Sequence, residues 1–302
     1  MKNIVFTFTL CWAVMFTLQA QVIRKSNVFV FDLKQLNDTI LQFSKPRYLT
    51  DFNANGYNNH PSFFSKNELC VSVQMPGERQ PDLYVFDLEK KTKLRITQTP
   101  EGEFSSSLMG DGFRFSAIRQ EYTATDTLIR LWEFPLDRLN NGRPVFKYQK
   151  NMGYFYWINS QTVAAFLNNT PPDLAIGDVR NDEFSVFASN VGRCFRLLPS
   201  GNLVYVKKSQ YDDWQLVQKK VTGANWEESP VTTIATTVPG AEDFAVLPDG
   251  SILMAKGSRI FHFSPKSKNV KWREVANLQF YDITNITRLA ISPDLKLALV
   301  AD

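Results

Sequence analysis

The stretch "DFAVLPDGSILMAKG" at 243–257 is two short apolar strands joined by the turn Pro248-Asp249-Gly250, and it returns in altered spelling as "RLAISPDLKLALVAD" at 288–302. The same pattern stands at 60–74 ("HPSFFSKNELCVSVQ"), 105–119 ("SSSLMGDGFRFSAIR"), 154–168 ("YFYWINSQTVAAFLN") and 194–208 ("CFRLLPSGNLVYVKK"). The six copies start at 60, 105, 154, 194, 243 and 288, so successive starts lie 45, 49, 40, 49 and 45 residues apart. A unit that recurs at this period cannot bury its apolar faces alone, and its copies must stack on one another.

A third strand follows each of the first five copies: "DLYVFDL" (82–88), "IRLWEFPL" (129–136), "DLAIGDV" (173–179), "WQLVQKKV" (214–221) and "RIFHFSP" (259–265). Most are followed by a weaker fourth, such as "KLRITQT" or "SVFASNV", and no segment keeps a helical period. Four antiparallel strands in about 45 residues is the blade of an all-β propeller. The last copy stops after two strands at Asp302, and "NVFVFDL" at 27–33 repeats "DLYVFDL" at 82–88 almost letter for letter. The N-terminal strands, with "TILQFSK" as the fourth, are therefore expected to complete the sixth blade and close the ring, which removes the open sheet edges that template aggregation.

The Pro-Asp turns, the "LYVFDL" third strands and the link "ITQTPEGE" at 96–103 resemble the exported propellers of the TolB type, whose repeats are called WD40-like. The resemblance covers about residues 26–302 and implies a six-bladed propeller used as a docking surface, a ligand cup or, in some cases, an enzyme. On residues 1–302 no counterpart of the N-terminal domain of TolB is expected, nor an α/β-hydrolase domain of the kind found in prolyl oligopeptidase-type chains.

Lys2, the apolar run "IVFTFTLCWAVMFTL" and Gln19-Ala20 form the charged start, apolar middle and small cut-site residue of a secretion signal. Residues 1–20 are thus expected to be removed, leaving one propeller domain over 21–302, periplasmic or secreted, with no transmembrane segment. Only Cys70 and Cys194 remain after that cut, too few for a disulfide framework. They are expected on opposite sides of the ring and unpaired. A net charge of +4 with scattered Lys and Arg gives no footprint for nucleic acid.

Aligning the copies separates scaffold from site. Three residues into each copy stand Phe63, Leu108, Trp157, Leu197, Val246 and Ile291, an apolar column read as core between blades. The first column differs from blade to blade: His60, Ser105, Tyr154, Cys194, Asp243 and Arg288. By propeller geometry these strand entries converge on one mouth of the central channel. With their neighbours they give the candidate ligand-binding set His60, Glu103, Tyr154, Arg193, Glu242, Asp243 and Arg288.

No HExxH, CxxC, calcium-loop or GxSxG pattern occurs, and two histidines cannot build a multi-histidine metal site. No catalytic residue, cofactor or metal is assigned. The sequence supports an exported module that binds a protein, peptide or small-molecule ligand at the polar mouth. The alternative is a hydrolase or lyase using Glu103, Glu242 or Asp243 on a sugar or acyl substrate at the same mouth, and a third reading is a structural subunit of an envelope or surface complex.

Overall fold

The computed structural model describes residues 24–302 except 38–39, 212 and 268–270, so the expected signal segment lies outside the described residues. The strands form six antiparallel sheets that follow the sequence repeat. Blade 1 holds Tyr57–Phe63, Glu68–Gln74, Asp82–Asp87 and Thr92–Arg95, from the inner strand outward. Blade 2 holds Gly102–Leu108, Arg114–Tyr122, Thr127–Pro135 and Arg143–Pro144, and blade 3 Met152–Trp157, Thr162–Leu167, Asp173–Asp178 and Glu183–Ser189. Blade 4 holds Val191–Leu197, Asn202–Lys207, Gln215–Lys220 and Val231–Thr236, and blade 5 Phe244–Val246, Ile252–Lys256, Arg259–Phe263 and Arg273–Asn277.

Blade 6 joins the two ends of the described chain. Its inner strand Ile286–Ile291 pairs with Lys296–Ala301, which pairs with Asn27–Asn37, which in turn pairs with Ile40–Phe43. The closing register runs from Asn27 opposite Ala301 to Asp32 opposite Lys296 without a slip. Because side chains alternate across a strand, the N-terminal segment serves two neighbours at once. Phe31 and Leu33 pack with Leu253 and Ile260 of blade 5, whereas Val28 and Val30 pack with Leu69, Val71 and Phe86 of blade 1.

The apolar core is divided the same way around the ring, with one cluster of buried side chains at each of the six blade interfaces. Cys70 lies between blades 1 and 2 and Cys194 between blades 4 and 5, both buried and unpaired. Among the described residues no helix is long and apolar enough to cross a membrane.

Ring closure sets the expected outcome of a core truncation. Phe31 is 1% exposed, so Phe31→Ala should cost about 3–5 kcal/mol in denaturant unfolding. Phe113→Ala, at a side chain 77% exposed, should stay within about 0.5 kcal/mol of the parent. Equal effects of the two would contradict closure by the N-terminal strand.

Candidate functional site

The inner strands are not regular, and the irregularity builds the site. The pairing of the inner strand with its neighbour slips between Asn59 and Ser62, Phe104 and Ser107, Met152 and Tyr154, Val191 and Phe195, and Ile286 and Arg288. In blade 5 the inner strand begins only at Phe244, one residue after Asp243. Bulges re-aim side chains out of the sheet plane, and these five fall at the same level of the ring. Two of them hold residues other than glycine in the left-handed region, His60 at φ 54° and Ser105 at φ 51°. Conformations of that kind cost on the order of 1–3 kcal/mol and persist where the surroundings impose them.

The bulged residues surround a cavity of about 620 Å³ on the channel axis. His60, Tyr154, Arg193, Asp243 and Arg288 of the expected set line it, with Ser105. Arg288 ties the ring together from blade 6. Its Nη2 donates to the Tyr154 hydroxyl at 2.7 Å and its Nε to Asn59 Oδ1 at 3.2 Å, while Nη1 lies 3.5 Å from Asp243 Oδ2. Four blades thus meet on one guanidinium, and Asp243 also accepts the Leu289 amide at 2.8 Å. The Asp243 carboxylate and the Tyr154 hydroxyl both hold the Arg288 pKa above its ordinary value, against burial, the largest single influence, which acts to lower it.

The His60 ring stacks on Tyr154, with centroids 5.8 Å apart and planes 10° from parallel. Its Nδ1 shares a 2.5 Å hydrogen bond with Ser105 Oγ. Burial first, then the positive charges of Arg288 and Arg193, push His60 well below the usual imidazole range, so it is neutral at pH 7.

Two expected residues lie elsewhere. Glu103 is fully buried on the far side of its strand from the cavity, where it accepts the Thr99 hydroxyl at 2.6 Å and Arg119 Nε–H at 3.0 Å. Arg119 in turn sits over the Trp132 ring at 4.2 Å. Strand alternation explains the placement, because Glu103 is two residues before Ser105 and the bulge between Phe104 and Ser107 breaks their common direction. Glu242 faces a smaller hollow of about 220 Å³ beside the cavity, where Arg193 at 3.3 Å and Lys208 at 2.5 Å pair with it. These two cations hold its carboxyl below the usual range against the burial that would raise it.

Cys194, in the expected mouth column, turns into the interface between blades 4 and 5. Its Sγ donates to the Phe244 carbonyl at 3.2 Å, and burial pushes the thiol up to about 11. The apolar column Phe63, Leu108, Trp157, Leu197, Val246 and Ile291 packs against the six blade-interface clusters, as expected, and has a second role as well. All six are half-buried and line the cavity. The innermost strands have no sheet on their axial side, so these side chains meet open channel on one side and the inter-blade core on the other.

Sequence reasoning missed the positions two residues beyond the first column: Ser62, Ser107, Tyr156, Arg196, Ala245 and Ala290. Period-two alternation along a strand carries the signal for them, since residues at i and i+2 share a face. Four are small and leave space, into which Tyr156 and Arg196 project. The cavity therefore has a polar, cationic end and, roughly 10 Å away at about 3.3 Å per strand residue, a belt of apolar side chains, past which Asp111, Arg114, Asn159 and Ser160 also line it.

By sequence, no protein-family model and no curated protein matches the chain. By structure it is similar to TolB from Acinetobacter baumannii, at TM-score 0.57 and 11% identity over 92% of this chain and 64% of that one. The chain thus spans just under two thirds of that protein. It is also similar to the protein described as TolB in Agrobacterium tumefaciens, at TM-score 0.66 and 11% identity over 92% and 98% of the two chains. A protein described as a gluconolactonase gives TM-score 0.57 and 10% identity over 90% and 92%. At these identities the likeness is one of fold: a TolB-like six-bladed propeller.

The Glu103 carboxyl provides a pH test. Burial outweighs the hydrogen bond from Thr99 and the attraction of Arg119 and raises it to about 7 from an ordinary 4.5. The folded state then binds a proton that the unfolded state has released, so stability is full below about pH 4.5 and falls as pH rises towards 7. The loss should be about 3 kcal/mol at 1.4 kcal/mol per unit. Denaturant melts at pH 4.5 and 7.5 should show this loss in the parent and its disappearance in Glu103→Gln. An unchanged slope in the variant would place the titration elsewhere.

Proposed function

We propose that the protein is an exported binding module that takes a ligand into its central channel from the polar mouth. The observation that carries this reading is the cavity itself. All six blades contribute to it, each with a different side chain on a repeated scaffold, and its volume falls in the range of small-molecule sites, about 300–1,000 Å³. Divergent chemistry on a repeated frame is what a grafted site looks like.

Binding is favoured over chemistry by paired carboxylates. Of Glu103, Glu242 and Asp243, the last alone lines the cavity, and it is engaged by Arg288 and the Leu289 amide. The likeness to a protein described as a gluconolactonase extends to fold alone at 10% identity. Export rests on the sequence of residues 1–20.

The reading is tested by plugging the channel without touching its charges. Ser62→Phe places a ring in the space left by the small residues. Native mass spectrometry against a library of small molecules and short peptides should give adducts on the parent that vanish in Ser62→Phe, with melting temperatures within a few degrees of each other. Adducts that survive the plug would move the site to the outer faces. Protein recovered from an exporting cell should have the intact mass of a chain beginning at Gln21, and a mass retaining residues 1–20 would contradict export.

A further inference from the structure

We infer that the channel ligand is a small molecule with a carboxylate at one end and an apolar body, its carboxylate held by Arg196 with Arg288 beside it. This rests on the channel-binding reading above and gives it a ligand class.

The first argument is charge. Around the polar end three lining cations, Arg193, Arg196 and Arg288, face one lining carboxylate, Asp243, with the Glu242–Lys208 pair beside the cavity. Glu242 is shared by Arg193 and Lys208, and Asp243 approaches Arg288 no closer than 3.5 Å. Among the described residues no carboxylate forms an ion pair with Arg196. Its Nη1 donates to the Phe195 carbonyl at 2.7 Å, and its guanidinium lies 5.8 Å from the Tyr156 ring centre. Asp243 attracts Arg196 through space without pairing with it, Arg196 and Arg288 act on each other as like charges, and His60 is neutral beside them. A partly buried, unpaired guanidinium next to a second one is a demand for an anion, and the planar fork of arginine matches the two oxygens of a carboxylate.

The second argument is shape. Arg196 comes from the one blade that places an arginine in the second ring of channel residues, opposite Ser and Ala positions that leave room for a ligand. From that ring the wall passes to Leu197, Trp157, Phe63 and Ile291, a hydrocarbon and aromatic surface with one indole N–H already used on Ser116 Oγ at 2.8 Å. An ion alone would leave this part of the cavity filled with water against apolar side chains. A molecule with an apolar body covers it, and burial of that body adds to the hold on the carboxylate.

The test uses 3-phenylpropionate and its neutral isostere 3-phenylpropionamide, titrated calorimetrically into the parent, Arg196→Met, Arg196→Lys and Ser62→Phe. A charge-assisted bidentate contact predicts that the parent binds the acid at least about tenfold more tightly than the amide, since each tenfold is about 1.4 kcal/mol. Arg196→Met should close that gap while retaining weak binding of both, Arg196→Lys should restore part of it, and Ser62→Phe should abolish both. Equal binding of acid and amide by the parent would overturn the carboxylate inference and leave the channel-binding reading standing. A gap that persists in Arg196→Met would overturn the assignment to Arg196. Absence of binding by both compounds to the parent would overturn the inference and the channel reading together. Circular-dichroism melts establish that each variant is folded.

Discussion

Everything in this molecule depends on the six-residue pairing of Asn27–Asp32 with Lys296–Ala301. A stack of blades has two raw ends, each presenting unpaired backbone and an apolar face. Here one strand covers both faces: Phe31 and Leu33 supply blade 5, and Val28 and Val30 supply blade 1. The segment is fully buried along Val28, Val30 and Phe31 and along Leu297 to Val300 opposite. Closure fixes the diameter of the ring, and the diameter fixes how far the six inner strands stand from the axis. The cavity is the consequence.

On that frame, bulges do the fine positioning. A regular inner strand would alternate its side chains between the two neighbouring interfaces, leaving backbone to line the channel. Breaking the register at the level of His60, Ser105 and Arg288 turns those side chains toward the axis. The backbone strain at His60 and Ser105 is balanced by contacts that only the closed ring supplies, the His60–Ser105 hydrogen bond and the stacking of His60 on Tyr154 across blades. Arg288 completes the arrangement by joining Asn59, Tyr154 and Asp243. The cationic excess at this level is thereby held in place, and Arg196 is left lining the channel with no ion pair to an acid among the described residues.

Much of the architecture was legible in the sequence because the repeat is written in it: the turn between the first two strands, the third strand, and the near identity of "NVFVFDL" with "DLYVFDL". The level of the mouth was legible too, through the one column that varies where its neighbours are constant. What the letters did not carry was direction. Glu103 and Glu242 sit within two residues of the column, yet one is buried against Arg119 and the other pairs with Arg193 and Lys208 beside the cavity. At Glu103 a bulge displaces the strand without any change in composition, so counting along the chain assigns the wrong face, whereas Glu242 precedes an inner strand that pairs without a slip. Tyr156 and Arg196 were within reach of alternation, since each lies two residues beyond a first-column position, and were missed because the reading stopped at the strand entries. The apolar column from Phe63 to Ile291 was read as core because apolar residues in a repeat usually are, and it does pack on the inter-blade clusters, while at the axis it also has a channel in front of it.

The central claim is that the channel is a binding chamber with a carboxylate-seeking end and an apolar belt. The measurement that tests it most directly is a crystal structure of the protein grown with 4-bromobenzoate, with data collected at the bromine edge. The account predicts a carboxylate against the Arg196 guanidinium and an anomalous bromine peak inside the channel, towards Trp157, Leu197 and Phe63. A channel holding only water, with bromine peaks confined to the outer surface, would contradict it.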